Sequence, residues 1–253
     1  MSAANTYTRR SALALIGAGI GICALSSAAC RREIIATGTA TPDQAMIALP
    51  PPALDGAVVV ETALLKRRSV REYSDAALEL AEIGQLLWAA QGITDRATGF
   101  RAAPSAGALY PLEVHVAAGK VVALSPGVYR YRPQGHRLLK VAEGDKREGL
   151  FNAALRQAPV RDAAAVLAFS GVYGRTSGKY GERGTRYVHM EAGHAAQNVY
   201  LQAVSLGLGT VTVGAFADEV VKGILNMAAD EQPLYLMPVG KLRDTAPAKA
   251  SWK

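Results

Sequence analysis

Residues 187–213 read YVHMEAGHAAQNVYLQAVSLGLGTVTV, and the patterning changes once along them. Up to Leu206 small and apolar side chains recur at helical spacing. Gly207 then ends the helix, because a residue without a Cβ takes the left-handed C-terminal conformation at little cost. Thr210 to Val213 follows with the β-branched residues of a strand. Tyr187 to Leu206 thus reads as a long, mostly apolar helix.

The flanking sequence supplies elements to bury it. Upstream, Ala164 to Phe169 reads as a buried strand, Glu148 to Arg156 as a short helix, and Val128 to Val141 as a hairpin turning at Pro133-Gln134-Gly135. Val114–Val116 and Val121–Leu124 read as two more strands. A helix N-capped by Ser74 is expected to run to about Gln91, with Leu80, Ile83, Leu86, Leu87 and Ala90 on its apolar face and Gly92 ending it. Downstream, Ala217 to Met227 is a helix and Leu234 to Val239 the last strand. Helices and strands mix without a strict βαβ rhythm, so the fold class is α+β with a mostly antiparallel sheet flanked by helices. The folded domain is expected over residues 61–246, with a tail at 247–253. Thr37–Pro42 and Pro50–Pro52 sustain neither helix nor strand, so residues 31–60 read as a linker.

The chain has 253 residues, enough for one sizeable α/β core, and 50% hydrophobic against 19% charged residues is a globular composition. The net charge is +7. No dense Lys/Arg stripe interleaved with aromatics accompanies it, so nucleic acid is not an expected partner, while a phosphate-bearing ligand suits a mild basic excess. Both cysteines, Cys23 and Cys30, precede the domain. A disulfide framework, a thiolate zinc site and a thiol nucleophile are therefore excluded from the body. His189 and His194 are five residues apart and do not share a helix face, so no metal site is expected, and His194 reads as a packed, hydrogen-bonded helix residue.

Residues 1–30 read as an address. Thr8-Arg9-Arg10-Ser11-Ala12-Leu13 is a twin-arginine pattern, followed by an apolar run to Leu25 and the small residues Ser26 to Ala29. Ser27-Ala28-Ala29-Cys30 is similar to a lipobox, with Ser27 where a large aliphatic residue is usual. Export to the periplasm or cell envelope is expected, with Cys30 a candidate lipid attachment point and membrane tether.

Four segments carry chemistry. Lys66-Arg67-Arg68-Ser69-Val70-Arg71 places four cations in six residues, which suits an anion that Arg forks can grip. Pro104-Ser105-Ala106-Gly107-Ala108-Leu109-Tyr110-Pro111 is a loop of small residues that lets a flat ligand approach the backbone. Thr210 to Val213 ends in Gly214, exposing backbone N–H groups at a strand tip. Lys241 and Arg243 follow the last strand.

Taken together, over roughly residues 61–243, these segments resemble the FMN-dependent nitroreductase superfamily. The resemblance implies that Arg67, Arg68, Ser69 and Arg71 grip the FMN phosphate, with Lys241 and Arg243 reaching it from the C-terminal side. It implies that Pro104, Ser105, Ala106 and Gly107 line the flavin ring and that Val213 and Gly214 offer backbone N–H to its N5 region. It also implies an intertwined homodimer. Leu87-Trp88-Ala89-Ala90-Gln91-Gly92, the Pro-Ser loop and Arg186 to Asn198 are similar to the SagB-type dehydrogenases, which oxidise azolines in peptides to azoles. In that branch a Lys-Tyr pair ahead of Glu-Arg is regarded as the acid/base pair, and Lys179-Tyr180-Gly181-Glu182-Arg183 matches it. The expected function is hydride transfer between flavin and a small organic or peptide-heterocycle substrate. An exported lipoprotein that binds or delivers FMN without chemistry fits the same segments.

Overall fold

The structure is a computed structural model that describes residues 46–243. Its centre is strand β5, Ala165–Gly171, in which every residue is buried. Ala165, Leu167 and Phe169 enter the core on one face, and Val166 and Ala168 enter the core on the other. A strand with no polar side needs cover on both faces, which places it inside the sheet. Around it lie β1 (Met46–Ala48), β2 (Leu112–Ala118), β3 (Gly127–Arg132), β4 (Arg137–Glu143), β6 (Leu208–Thr210) and β7 (Gln232–Lys241). The spatial order is β1-β4-β3-β2-β5-β7-β6, and every neighbouring pair is antiparallel.

Helices cover both faces. They are α1 (Val60–Lys66), α2 (Leu80–Gln91), α3 (Arg147–Ala153), α4 (Ala158–Asp162), α5 (Tyr173–Tyr180), α6 (Arg183–Ser205) and α7 (Asp218–Ile224). On one face Ile83, Leu86 and Leu87 of α2 and Val188, Ala192, Ala195 and Val199 of α6 meet Leu167, Phe169 and Met237. On the other, Leu150 of α3, Val160 of α4 and Val221 of α7 meet Val166, Ala168 and Leu236. The result is the α+β class expected from the sequence, with an antiparallel sheet between two helical layers.

Four local expectations are corrected. Residues 46–60 are no linker: Met46–Ala48 pairs with Arg137–Leu139, and Leu49, 7% exposed, donates its N–H to His136 O. The prolines that follow forbid regular structure yet do not forbid packing. Ser74 does not cap α2, because its N–H is committed to Lys241 O and Leu78 bridges to Val121. The cap is Glu79, in a reciprocal capping box with Glu82. Val121–Leu124 is a turn, with Ala123 at φ 59°, since Val121 pairs with Leu78 and Leu124. His194 faces solvent instead of packing. The export signal, Cys30 and the tail lie outside the described residues.

Two ends of the sheet organise the chemistry. Leu112, Gly171 and Gln232 are aligned at one end, while Lys241 pairs with Leu208 at the other. Helix α6 runs along the sheet between the ends.

The segment after α1 is locked onto the second end. Tyr73 is 4% exposed and donates its hydroxyl to Val70 O at 2.9 Å and Pro238 O at 3.2 Å. A Cβ on Gly240 would come within 2.7 Å of Tyr73 Cβ and Cγ. Gly240→Ala should therefore displace Tyr73 and cost about 1–3 kcal/mol of stability. Urea unfolding checks this, and an unchanged midpoint would contradict it.

Candidate functional site

The cationic end is built around Tyr200 of α6. Its hydroxyl shares a hydrogen bond with Ser69 at 3.2 Å and accepts the Thr212 N–H at 2.8 Å. Arg67 lies over its ring, 5.3 Å from the centroid. Burial raises the pKa of this phenol, but the Ser69 and Thr212 contacts and the Arg67 charge outweigh it and draw the pKa below the ordinary tyrosine value. Val70 donates to Thr210 O, which ties the cationic loop to β6.

Arg67 and Ser69 thus share one side of the chain. Arg68 turns back, donating to Leu65 O and Arg67 O. Lys241 forms an ion pair with Glu82 at the start of α2. Arg243 donates to Tyr73 O at 2.8 Å and pairs with Glu72 at 3.2 Å. Arg71 is exposed on the same loop. Beyond β6, Val213 pairs with Leu236, and the exposed Gly214 leaves its amide without a partner among the described residues. Leu236 is five residues from Lys241, about 16 Å along the strand.

The other end is built around the Pro104–Pro111 loop. Gly107, Ala108 and Tyr110 have φ of 63°, 54° and 47°. Three left-handed residues in four positions, two of them with side chains, store strain that the surroundings must hold. Tyr110 is the anchor. Its N–H donates to Ser105 Oγ at 2.9 Å, its hydroxyl accepts the Arg101 N–H at 3.2 Å, and its carbonyl accepts from Arg175 at 3.0 Å. The Arg101 guanidinium stacks 4.3 Å from its ring centroid.

Lys179 and Tyr180 stand over this loop. A Cβ placed on Gly107 would be 2.8 Å from the Tyr180 hydroxyl and 3.0 Å from Lys179 Nζ. Only glycine fits both the left-handed φ and the closeness of that pair. Tyr187 of α6 packs edge-on against Tyr180, with centroids 5.1 Å apart.

Helix α6 measures the distance between the two ends. Tyr187 touches the Lys-Tyr pair and Tyr200 touches Ser69. They are thirteen residues apart on one helix, about 20 Å at 1.5 Å per residue. The structure brings Lys179 and Tyr180 to the Pro104–Gly107 loop and brings Arg67 and Ser69 to the strand tip. Within one chain it does not bring the two groups together.

Two features escape a reading of the sequence. His115 and Glu231, 1% and 0% exposed, bond at 2.8 Å inside the sheet, with Ser170 donating to Glu231 at 2.6 Å and Arg130 close by. Burial raises the Glu231 pKa, yet these partners more than offset it and hold it at about 2. A His between valines on β2 signals only a strand position. The second feature is Glu191 on α6, 2% exposed, with Ser105 and Gln91 beside its carboxyl and Oε1 unpartnered. Burial pushes its pKa up to about 7.

Residues 64–241 match the model of the Nitroreductase family. The chain belongs to this family. A relative from Methanocaldococcus jannaschii, named as a "putative nitroreductase", is 50% identical over 184 residues, covering 73% of this chain and 91% of that protein. A family structure from Ralstonia eutropha superposes with a TM-score of 0.69 at 27% identity, over 79% of this chain and 90% of that one. One from Anabaena variabilis gives 0.65 at 32% identity over 73% of this chain, which spans 38% of its length. The Escherichia coli microcin synthetase McbBCD complex with truncated pro-MccB17 bound gives 0.61 at 25% identity, over 78% of each chain. Members of the family are flavin-dependent oxidoreductases, so the protein is an enzyme of that class.

The Glu191 pKa predicts a pH dependence of stability. Below the unfolded value of 4.5 the group is protonated in both states. Between 4.5 and about 7 the unfolded chain ionises first, so folding loses stability as pH rises. Glu191→Gln removes that loss. The melting temperature of the variant relative to the native protein should therefore be higher near pH 8 than near pH 5. A difference that does not vary with pH would show that the carboxyl ionises normally.

Proposed function

We propose that this protein is an exported, FMN-dependent dehydrogenase of the SagB type, working as a homodimer on a small organic or peptide-heterocycle substrate. The observation that carries the reading is the seat of Lys179 and Tyr180 against Gly107, where a flat cofactor lying alongside the loop would have both side chains at its edge. The McbBCD complex with pro-MccB17 bound, among the structural neighbours, supports a peptide substrate. The twin-arginine pattern at Thr8–Leu13 supports export.

The residues fit FMN in two pieces. Arg67, Ser69 and Arg71, with Lys241 and Arg243, supply cations and a hydroxyl for a phosphate. The Gly214 amide offers a donor for a ring nitrogen. Pro104, Ser105, Ala106 and Gly107 offer a flat wall. The roughly 20 Å that α6 sets between the Ser69 end and the Gly107 end exceeds the reach of a ribityl chain. A complete site then needs the cationic loop of one copy and the Pro-Ser loop of the other, which makes dimerisation a condition of cofactor binding.

Bound FMN supplies hydride exchange at its N5. The chain's own part is proton transfer and alignment. Oxidising an azoline to an azole removes one hydride and one proton, and Lys179 Nζ or Tyr180 Oη takes the proton. Ser69 and the Arg67 guanidinium hold the phosphate end in register with the strand tip.

Purified protein should be yellow and dimeric, and Arg67→Ala should weaken FMN binding at least about tenfold, the loss of one charge-assisted hydrogen bond. A colourless, folded monomer that takes up no FMN in titration would refute the composite site. Lys179→Ala and Tyr180→Phe should keep FMN and the dimer but slow oxidation of a thiazoline-containing peptide by about 10²–10⁴-fold. If the native protein leaves that peptide untouched while NAD(P)H or a quinol bleaches its flavin, the substrate is of another class.

A further inference from the structure

The loop that carries Gly107 and the helix that carries Lys179 are joined by one side chain. Arg175 lies in the first turn of α5, four residues before Lys179, so the two share a face of that helix. Its Nη1 donates to Tyr110 O at 3.0 Å and its Nη2 donates to Glu113 Oε1 at 2.6 Å. Lys179 meets the same loop at Gly107. Helix α5 is thus attached to the loop at two points on one face. Tyr110 needs such a hold: it sits at φ 47°, and Pro111 after it favours an extended backbone instead.

Arg175 is itself anchored, although it is 38% exposed. Glu113 of β2 holds it on one side and takes the Arg130 fork on the other, with Nε 3.1 Å from Oε2 and Nη2 3.0 Å from Oε1. Arg130 reaches on to Glu231 at 3.3 Å, and Glu231 is bonded to His115 and Ser170. Register explains the assembly. Arg130 lies opposite His115 and Ser170 opposite Glu113, and Glu113 and His115 alternate onto the same face of β2. Glu231, Arg130, Glu113 and Arg175 form a line of alternating charge that begins inside the protein and ends on the Tyr110 carbonyl. Burial raises the Glu113 pKa, but the two arginines outweigh it and hold it below the usual carboxylate value. A line of buried, mutually paired charges is stiffer than a lone surface pair.

We propose that Arg175 is a positioning residue for the reaction: backed by Glu113, it ties α5 to the Tyr110 carbonyl and so fixes Lys179 and Tyr180 against Gly107. The inference rests on the proposed acid/base role of that pair for its effect on turnover, whereas the tie itself stands on the contacts alone. Without Arg175 the Tyr110 carbonyl loses its side-chain donor, and the left-handed residues are held less firmly. Proton transfer then suffers more than binding, because misplacing a reacting group by about 1 Å can lower a rate about 10²-fold.

Amide hydrogen exchange of the full chain reads the tie without cofactor. Arg175→Met should speed exchange over residues 105–112 by about tenfold, the loss of one charge-assisted hydrogen bond, and leave 165–171 in β5 unchanged. Native exchange over 105–112 overturns the proposal, and so does a rise that extends equally to β5. Turnover of the thiazoline-containing peptide by FMN-loaded protein separates positioning from support. Arg175→Met should lower kcat by about 10–100-fold and leave KM and FMN affinity within about twofold. Arg175→Lys keeps a charge beside Glu113 but replaces the fork by a single nitrogen, and should stay slow. A native kcat in Arg175→Met, a loss confined to KM, or full recovery in Arg175→Lys overturns the proposal. A native protein that leaves the peptide untouched defeats the proposed function, and the exchange measurement still decides the role of Arg175.

Discussion

Helix α6 seats against the sheet at Gly171, and the placement of the site depends on that contact. A Cβ on Gly171 would come within 2.7 Å of Val188 Cγ1, so the strand must end in a residue without a side chain for the helix to seat. Once Val188 is seated, helical geometry sets the rest. Ala192, Ala195 and Val199 follow onto the same core, Glu191 turns toward Ser105, and Tyr187 and Tyr200 reach opposite ends. The two-sided burial of β5 keeps this frame rigid, because neither face of the strand can shift without opening a cavity.

The two ends differ in how they hold charge. At the cationic end, arginines and Lys241 sit on loops and strand termini near water, and three of these cations are offset by an acid or a carbonyl: Lys241 by Glu82, Arg243 by Glu72, Arg68 by Leu65 O. Such partners are exchangeable, since exposed pairs contribute little and a stronger anion can replace them. At the loop end the one carboxyl on α6, Glu191, is withdrawn from water and the backbone is strained. One end is built to accept a ligand that arrives with its own charge, and the other to present fixed atoms to whatever lies against it.

Much of this was legible in the sequence. The antiparallel α+β class follows from the alternation of elements, whereas nothing in the sequence places Lys179 and Tyr180 against Gly107. What escaped did so for identifiable reasons. Met46–Ala48 is too short to carry a period, and three prolines after it mask a strand whose partner lies some ninety residues away. Ser74 is a good capping residue by type, but tertiary pairing had already claimed its backbone. Arg67 and Arg68 are indistinguishable as letters, and only the fold shows that one turns to Tyr200 and the other back to Leu65. Glu191 read as one polar position in an apolar helix, and its burial depends on Ser105 and Gln91 arriving from two other elements.

The pairing of His115 with Glu231 has a consequence for where this enzyme can stand. Glu231, surrounded by donors, keeps its charge down to about pH 2, whereas Glu191, surrounded by almost none, gives its charge up at about 7. Through the whole acidic range between these values, one chain holds two buried glutamates in opposite electrical states. Mild acid therefore neutralises the carboxyl on α6 long before it touches the one beside His115.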